Sequence, residues 1–480
     1  MAPLRTSGGA AQIVNATMFI RATATVLMSA LILWVTGARA QTPVLPLPTL
    51  STCPTETHPL LPEKWRATFL MAPFTNTQLV LGNFAYDGTL KAMRAGLYGL
   101  KRGTLDLFVQ GDNTYALTSR GPQIVGCENL GDTGWRSLPQ DWLKPQSQCA
   151  GSGPLAETAV DWWKTPIEPR PSSYWIWYKT SDQTPFRLVF PFPNDRLAVL
   201  GEFALSYQIS FEQVENADLS EPMAACKSAT VAIPEAARQR PRERINAMSL
   251  AEGKPSDEIK RLLPQVSACP SASLPRWPEK VALTGLMTPF DFNEVPYQTE
   301  VLYDWTIPAQ RSRIYFPQQS SSFVQDALML ESGGYNVTYY RQGAPTCRGL
   351  LPGTIRPDWA ARAPCACEAM IDGNTPLTPY GATRVISCPL ATPRAAWAWY
   401  TRDDRPMTFA VTSLLGDEGS GLFAVLDYRD WVPGAASIAR TAFDEPAHCG
   451  LPPLERSALK AQADPASRQC STCHTGSDPR

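Results

Sequence analysis

The residues best equipped for chemistry stand near the C-terminus, in Arg468-Gln469-Cys470-Ser471-Thr472-Cys473-His474-Thr475-Gly476. Two thiols separated by two residues and followed at once by an imidazole form the pattern that attaches haem covalently. The spacing has a physical reason. The thiols add across the vinyl groups of a porphyrin, the intervening residues span its edge, and the next residue brings an imidazole under the iron. Cys470 and Cys473 are therefore the expected thioether donors of one haem c, and His474 the expected proximal iron ligand. A dithiol redox pair would open a helix in a βαβ unit, which the surrounding sequence lacks. Structural zinc usually takes four ligands, and fewer stand here. The chain has 3 histidines. His448 is the nearest in sequence for a distal ligand, His58 lies on a proline-rich entry segment, and a buried Met is a further alternative.

The motif resembles the c-type cytochromes, and the resemblance covers this motif alone. It implies electron transfer with a redox partner protein. Residues 475–480 include neither Met nor His, so any haem here must pack on an upstream domain or a partner. Elsewhere the chain lacks a Gly-x-Ser-x-Gly elbow, a zinc-binding helix motif and a dinucleotide loop, and no enzymatic activity is expected. Gly416-Asp417-Glu418-Gly419-Ser420-Gly421 lacks the lysine of a phosphate loop and reads as a turn. Asp403-Asp404, flanked by Arg402 and Arg405, reads as a turn rather than a carboxylate dyad.

These residues must be positioned by something, and composition bounds it. Hydrophobic residues make up 44% of 480, enough for real cores, while charged residues are only 18% and prolines number 45. That balance suits strands and turns. The 43 basic and 44 acidic residues nearly cancel, which excludes a nucleic-acid partner. Arg21, the apolar run Ala24–Val35 and the small-x-small triplet Ala38-Arg39-Ala40 describe a secretory signal peptide over residues 1–40. The apolar run is too short for a comfortable membrane span of about 20 residues. A periplasmic or secreted location is expected, with no stable membrane span. The 12 cysteines fit an oxidising compartment.

From residue 53 onward the chain reads as one domain written twice. Pro62-Glu63-Lys64 matches Pro278-Glu279-Lys280, and Met71-Ala72-Pro73-Phe74 matches Met287-Thr288-Pro289-Phe290, both displaced by 216. Tyr86-Asp87-x-Thr89 matches Tyr303-Asp304-x-Thr306, Trp175-x-Trp177-Tyr178 matches Trp397-x-Trp399-Tyr400, and Cys226 matches Cys449. Small loop insertions explain the slow drift in offset. Within each copy the apolar period is two, the strand signature, as in Thr104–Val109, Phe186–Phe190, Val301–Trp305, Tyr335–Tyr340 and Leu422–Leu426. The expected organisation is a signal peptide (1–40), β repeat one (41–228), a helical linker (229–268), β repeat two (269–449) and a tail (450–480). The helix signals lie at 238–263 and again at Leu454–Lys460.

Matching positions suggest bridges tying the ends of each copy, Cys53–Cys226 and Cys269–Cys449. A second bridge, Cys127–Cys149, would close the middle loop, and Cys347 would pair with Cys365, Cys367 or Cys388. A strand ending Tyr-Asp, then Arg311-x-Arg313, a further strand and a cysteine-framed loop resemble the ependymin-related secreted proteins. Those are similar in turn to bacterial lipoprotein carriers of the LolA/LolB half-barrel type. The resemblance implies a mainly β fold, two tandem curved antiparallel sheets each with a short helix, around an apolar cavity. It departs in copy one, where Gly96 stands at the place of Arg313. Its functional implication is a secreted carrier of lipid or another small apolar ligand, the alternative to a haem protein.

Overall fold

Lys64–Pro73 is rich in aromatic and aliphatic residues, with Lys64, Arg66 and Thr68 confined to its first half, and it forms a strand that is buried on both faces from Ala67 onward. A strand of that composition belongs in the middle of a sheet, and the computed structural model places it there. The structure describes residues 43–54, 57–73, 79–99, 104–120, 123–131, 140–143, 145–155, 158–167, 172–190, 204–227, 265–267, 269, 274–289, 296–317, 322–350, 356–362, 365–372, 383–389, 395–411, 424–435, 438–445 and 449. The signal peptide, both expected helices at 238–263 and Leu454–Lys460, the Gly416–Gly421 turn and the C-terminal tail lie outside the described residues.

Copy one contains β1 (Lys64–Pro73), β2 (Val80–Asp87), β3 (Ala92–Gly99), β4 (Thr104–Gln110), β5 (Asn113–Arg120), β6 (Gln123–Gly131), β7 (Gln148–Leu155), β8 (Thr158–Ile167), β9 (Ser172–Lys179), β10 (Pro185–Phe190) and β11 (Ala204–Gln213), followed by helix α1 (Ser220–Cys226). Copy two contains β12 (Gln265–Ser267), β13 (Lys280–Pro289), β14 (Tyr297–Asp304), β15 (Ala309–Tyr315), β16 (Ser322–Leu330), β17 (Gly333–Tyr340) and β18 (Thr346–Leu350). After helix α2 (Trp359–Arg362) come β19 (Ala366–Asp372), β20 (Thr383–Pro389), β21 (Ala395–Thr401), β22 (Pro406–Val411) and β23 (Ala424–Pro433), then a 3₁₀ turn at Arg440–Phe443. The fold is mainly β, as the alternation requires. Gln265–Ser267, expected within a helical linker, is instead a strand, because it adds to the edge of β19.

Each sheet is an antiparallel meander that runs out from its centre, jumps to the far edge and returns. In copy one the order is β6-β5-β4-β3-β2-β1-β11-β10-β9-β8-β7. In copy two it is β12-β19-β20-β21-β22-β23-β13-β14-β15-β16-β17-β18. The copies share their irregularities as well as their order. The β1/β11 register shifts at Thr68/Phe69 and the β13/β23 register at Thr284/Gly285. The β7/β8 shift after Cys149 reappears after Cys367 in β19/β20. Ser51 bridges Ser152 as Ser267 pairs with Met370. Bulges re-aim strands and increase local twist, so matched bulges give the two sheets the same curvature.

Five disulfides lock these sheets, and their pairing corrects the expectation of end-tying bridges. Cys53 pairs with Cys149 and Cys127 with Cys226. Cys269 pairs with Cys367, Cys347 with Cys449, and Cys365 with Cys388. Cys127 on β6 and Cys149 on β7 stand at opposite edges of the same sheet, and each is bonded instead to the segment lying over its own edge, Cys226 and Cys53. Cys53–Cys226 fails for a related reason. The lead-in chain runs along the β7 edge, whereas α1 covers the β6 edge, where Glu221 accepts the backbone N–H of Ile124 at 2.8 Å. Copy two repeats the arrangement, which excludes Cys269–Cys449. Each of the four long-range bridges thus fastens a flanking segment over an edge that would otherwise offer a template for strand pairing, while Cys365–Cys388 joins the start of β19 to its neighbour β20.

Side chains of alternate parity fill two faces. On one face of copy one, Trp65, Ala67, Phe69, Met71, Met93, Leu97, Leu107 and Val109 form a single buried cluster reaching from β1 to β6, where Leu130 joins it. The cluster passes from strand to strand along the inner face of the curved sheet. The other face, with Leu70, Leu81, Trp162, Trp177 and Val189, packs on Leu286, Val385, Trp397, Trp399 and Val425 of copy two in one shared cluster. Trp177, Trp397 and Trp399 of the Trp-x-Trp segments therefore serve the junction between copies. Trp397 reaches across it to donate its indole N–H to the carbonyl of Pro73 at 2.7 Å.

Candidate functional site

Cys470, Cys473, His474 and His448 lie outside the described residues. His58 is described. It sits on the lead-in to β1, with Nε2 at 2.9 Å from the carbonyl of Ser147 and its ring centroid 5.3 Å from that of Trp163. A nitrogen that donates to a carbonyl is not a metal ligand, so Nε2 of His58 is committed to holding the loop before β7. Asp403 and Asp404 occupy the turn between β21 and β22, where Asp404 ion-pairs with Arg384 and Asp403 accepts from Thr401.

The recurring Tyr-Asp-x-Thr motif closes a hairpin in each copy. Asp87 Oδ1 accepts from the Thr89 N–H at 3.0 Å, the Thr89 hydroxyl at 2.5 Å and the Leu90 N–H at 3.2 Å. Asp304 accepts from the N–H and hydroxyl of Thr306 at 2.9 and 2.6 Å. Lys64 and Lys280 complete the pairs at 3.4 and 2.9 Å. Burial works to raise both carboxyls, but these hydrogen bonds and lysines outweigh it and hold both below the usual carboxylate range. Both folded pKa values are depressed, so the stability these turns contribute is present in full above the ordinary value of about 3.9. It is lost as the pH falls from there through the lowered folded values. In an acid titration followed by tryptophan emission, Asp87→Asn with Asp304→Asn is expected to flatten the acid limb relative to the parent. An unchanged limb would remove these turns from the account.

The Arg-x-Arg pair of β15 forms a buried ionic quartet. Arg311 holds Asp326 of β16 through two bonds, Nε–Oδ1 at 2.8 Å and Nη2–Oδ2 at 2.7 Å. Arg313 donates to Glu300 of β14 at 2.8 Å. Cross-strand register dictates this, since Glu300, Arg313 and Asp326 face one another directly. All four groups are buried, Glu300 completely. The second oxygen of Glu300 accepts the backbone N–H groups of Val44 and Leu45, at 2.5 and 3.3 Å. Gln298 donates to the carbonyl of Pro48 at 3.0 Å. The segment leading into copy one is thereby strapped across copy two.

Copy one keeps only half of this device. Arg94 and Asp106 form the same two-bond pair, at 3.0 and 2.6 Å. Register puts Asn83 and Gly96 where copy two has Glu300 and Arg313. A Cβ on Gly96 would collide with Asn83 Oδ1 and the Tyr98 hydroxyl, so the space of the second arginine is already filled. Glu and Arg are absent together, which keeps the buried patch neutral in both copies.

The curled faces are aromatic, with tyrosine hydroxyls met by tryptophans from outside the strands. Trp142 donates to Tyr178 at 3.0 Å and Trp277 to Tyr400 at 3.4 Å. Burial pushes the Tyr400 phenol up to about 12 and the Tyr178 phenol higher still. Among the described residues, the buried indole N–H groups of Trp65, Trp163 and Trp359 and the buried hydroxyl of Tyr303 have no hydrogen-bond partner. Trp65 and Trp163 belong to the curled face of copy one, and Trp359 and Tyr303 to that of copy two. Sequence reasoning missed this set, because unpaired donors leave no mark in composition.

Among the described residues no helix is long and apolar enough to cross a membrane. No family model matches the chain, and no curated protein matches it. Solved structures do align with it. An uncharacterized conserved protein from Thermus thermophilus aligns at 11% identity over 34% of this chain and 85% of its own, with a TM-score of 0.23. The Pseudomonas aeruginosa MucA/MucB complex aligns at 10% identity over 60% of this chain and 86% of that one, with a TM-score of 0.20. A LolA superfamily protein from Nitrosomonas europaea aligns at 13% identity over 36% and 92%, with a TM-score of 0.19. A LolA superfamily structure thus stands among the solved structures that this chain aligns with.

Proposed function

We propose that this chain is an exported carrier protein whose two disulfide-locked half-barrels hold an apolar or amphipathic ligand. The observation that carries this reading is the lining of the curled faces, aromatic and aliphatic walls with buried donors at Trp65, Trp163, Trp359 and Tyr303 that find no acceptor among the described residues. Small-molecule sites are built this way, mostly apolar with a few placed polar groups. An unsatisfied buried donor costs about 1–3 kcal/mol, which a ligand oxygen would relieve. Native mass spectrometry of protein from its exporting host is expected to show a bound apolar molecule. Trp65→Phe and Trp163→Phe keep the ring and remove the hook, and each is expected to weaken binding about tenfold, as loss of one hydrogen bond of about 1.4 kcal/mol would. Protein that carries no extra mass, and whose tryptophan emission is unmoved by lipid, would refute the carrier reading.

A second reading, covalent haem serving electron transfer to a redox partner, is favoured by the cysteine arithmetic. Five disulfides take up ten cysteines. The sequence has 12, and the two that remain are Cys470 and Cys473 of the C-x-x-C-H motif. That set of two thiols and the His474 imidazole suits one haem c. Thioether bonds survive denaturation, so protein made alongside haem-attachment machinery is expected to keep its colour on a denaturing gel. Cys470→Ala with Cys473→Ala should abolish the signal, and His474→Ala should change the spectrum. His58→Ala should leave the spectrum alone, since its Nε2 already serves Ser147. Colourless protein under those conditions leaves the carrier reading alone.

A further inference from the structure

At the centre of the junction between copies, four buried side chains form a closed ring. Arg187 of β10 reaches Asp427 of β23 through two bonds, at 2.7 and 2.6 Å. It also donates to the Tyr207 hydroxyl of β11 at 3.3 Å. That hydroxyl donates to Thr408 of β22 at 3.2 Å, and Thr408 donates to Asp427 at 3.0 Å. The ring is two-fold in its positions. Arg187 lies opposite Trp177 on β9 and Tyr207 on β11. Thr408 lies opposite Trp399 on β21 and Asp427 on β23. Arg187 and Thr408 are therefore equivalent sites in the two copies, as are Tyr207 and Asp427. Each site contacts the unlike site of its own copy and that of the other copy, the pattern of a self-complementary dimer contact.

The positions are symmetric but the chemistry is not. Two copy-one faces joined this way would bury two guanidiniums among tyrosines with no carboxylate. Two copy-two faces would bury two carboxylates among threonines with no cation. Only the mixed pair is neutral. The guanidinium also stacks 4.1 Å from the Trp177 ring centroid, and Tyr207 meets Trp399 at 5.6 Å, so the pair is enclosed by the shared apolar cluster. An uncompensated buried charge is strongly unfavourable, and unpaired charges against the wrong partner are a recognised source of specificity.

We propose that the two copies form a tethered dimer in which the Arg187/Tyr207 face of copy one accepts only the Thr408/Asp427 face of copy two. This face, with the Val44–Pro48 strap beside it, holds the copies together rather than the linker. Every described disulfide lies within one copy. A cut in the linker therefore leaves no described disulfide between the pieces.

The test uses the full chain with a specific protease site inserted between residues 240 and 250. After cutting in native buffer, the two pieces are expected to co-elute as one particle. Native mass spectrometry should find one of each piece and no like pair, and denaturant alone should separate them. Cut Arg187→Ala and cut Asp427→Asn chains are expected to dissociate at concentrations at least 100-fold higher than the parent. Arg187→Met with Asp427→Leu, which removes both charges, should restore co-elution even if either single variant perturbs its own copy. Wild-type pieces that drift apart in native buffer, like pairs in the mass spectrum, or single variants that hold as tightly as the parent would each overturn the proposal.

Discussion

Glu300→Ala is expected to destabilise copy two by about 3–5 kcal/mol, the usual loss when one partner of a buried ion pair is removed. Two losses coincide at this position. Arg313 loses its closest carboxylate, at 2.8 Å, and the remaining one, Asp326 at 3.5 Å, is already held by Arg311. The N–H groups of Val44 and Leu45 lose their acceptor as well, which frees the strap. The equivalent change in copy one, Asn83→Ala, should be nearly silent, because Asn83 Oδ1 has no hydrogen-bond partner among the described residues. Denaturant midpoints under non-reducing conditions measure the contrast, and limited proteolysis near residue 45 reports release of the strap. Equal effects at the two positions would show that the quartet contributes nothing beyond packing.

The second large effect belongs to the long-range bridges. Cys127→Ala with Cys226→Ala opens a link spanning 99 residues, and Cys347→Ala with Cys449→Ala one spanning 102. Loop closure of that length corresponds to about 4.7 kcal/mol in the chain-entropy model. The change also releases the segment covering a sheet edge, so aggregation should rise along with the loss of stability. Cys365–Cys388 spans only 23 residues, and its removal should cost about 3 kcal/mol by the same relation. Thermal melting and light scattering of the three double variants give the ranking. A short bridge that mattered more than the long ones would contradict it.

Fold class and duplication were legible because they are written in repeated letters and in period two. Tyr-Asp-x-Thr is an example. The motif recurs because each copy needs the same turn, and the turn needs a carboxylate acceptor and a hydroxyl donor. The cysteine pairing was not legible, since order along the chain does not reveal that Cys127 and Cys149 end on opposite edges. The junction was hidden for the opposite reason. A search for matching residues passes over Arg187/Thr408 and Tyr207/Asp427, whose function depends on their being different. His58 looked like a candidate ligand from its residue type, and only geometry shows its Nε2 on the Ser147 carbonyl.

The order of the cysteines also bears on biogenesis. In copy one the half-cystines follow one another as Cys53, Cys127, Cys149 and Cys226, yet the native bonds join the first to the third and the second to the fourth. The long-range pairs of copy two interleave in the same way. A chain that enters an oxidising compartment amino-terminus first presents Cys53 and Cys127 before Cys149 has arrived. Oxidation at that moment yields a bond the finished sheet cannot contain. Reaching the native state then requires exchange through a mixed disulfide, so the yield of correctly folded protein should follow the supply of disulfide isomerase rather than of oxidant.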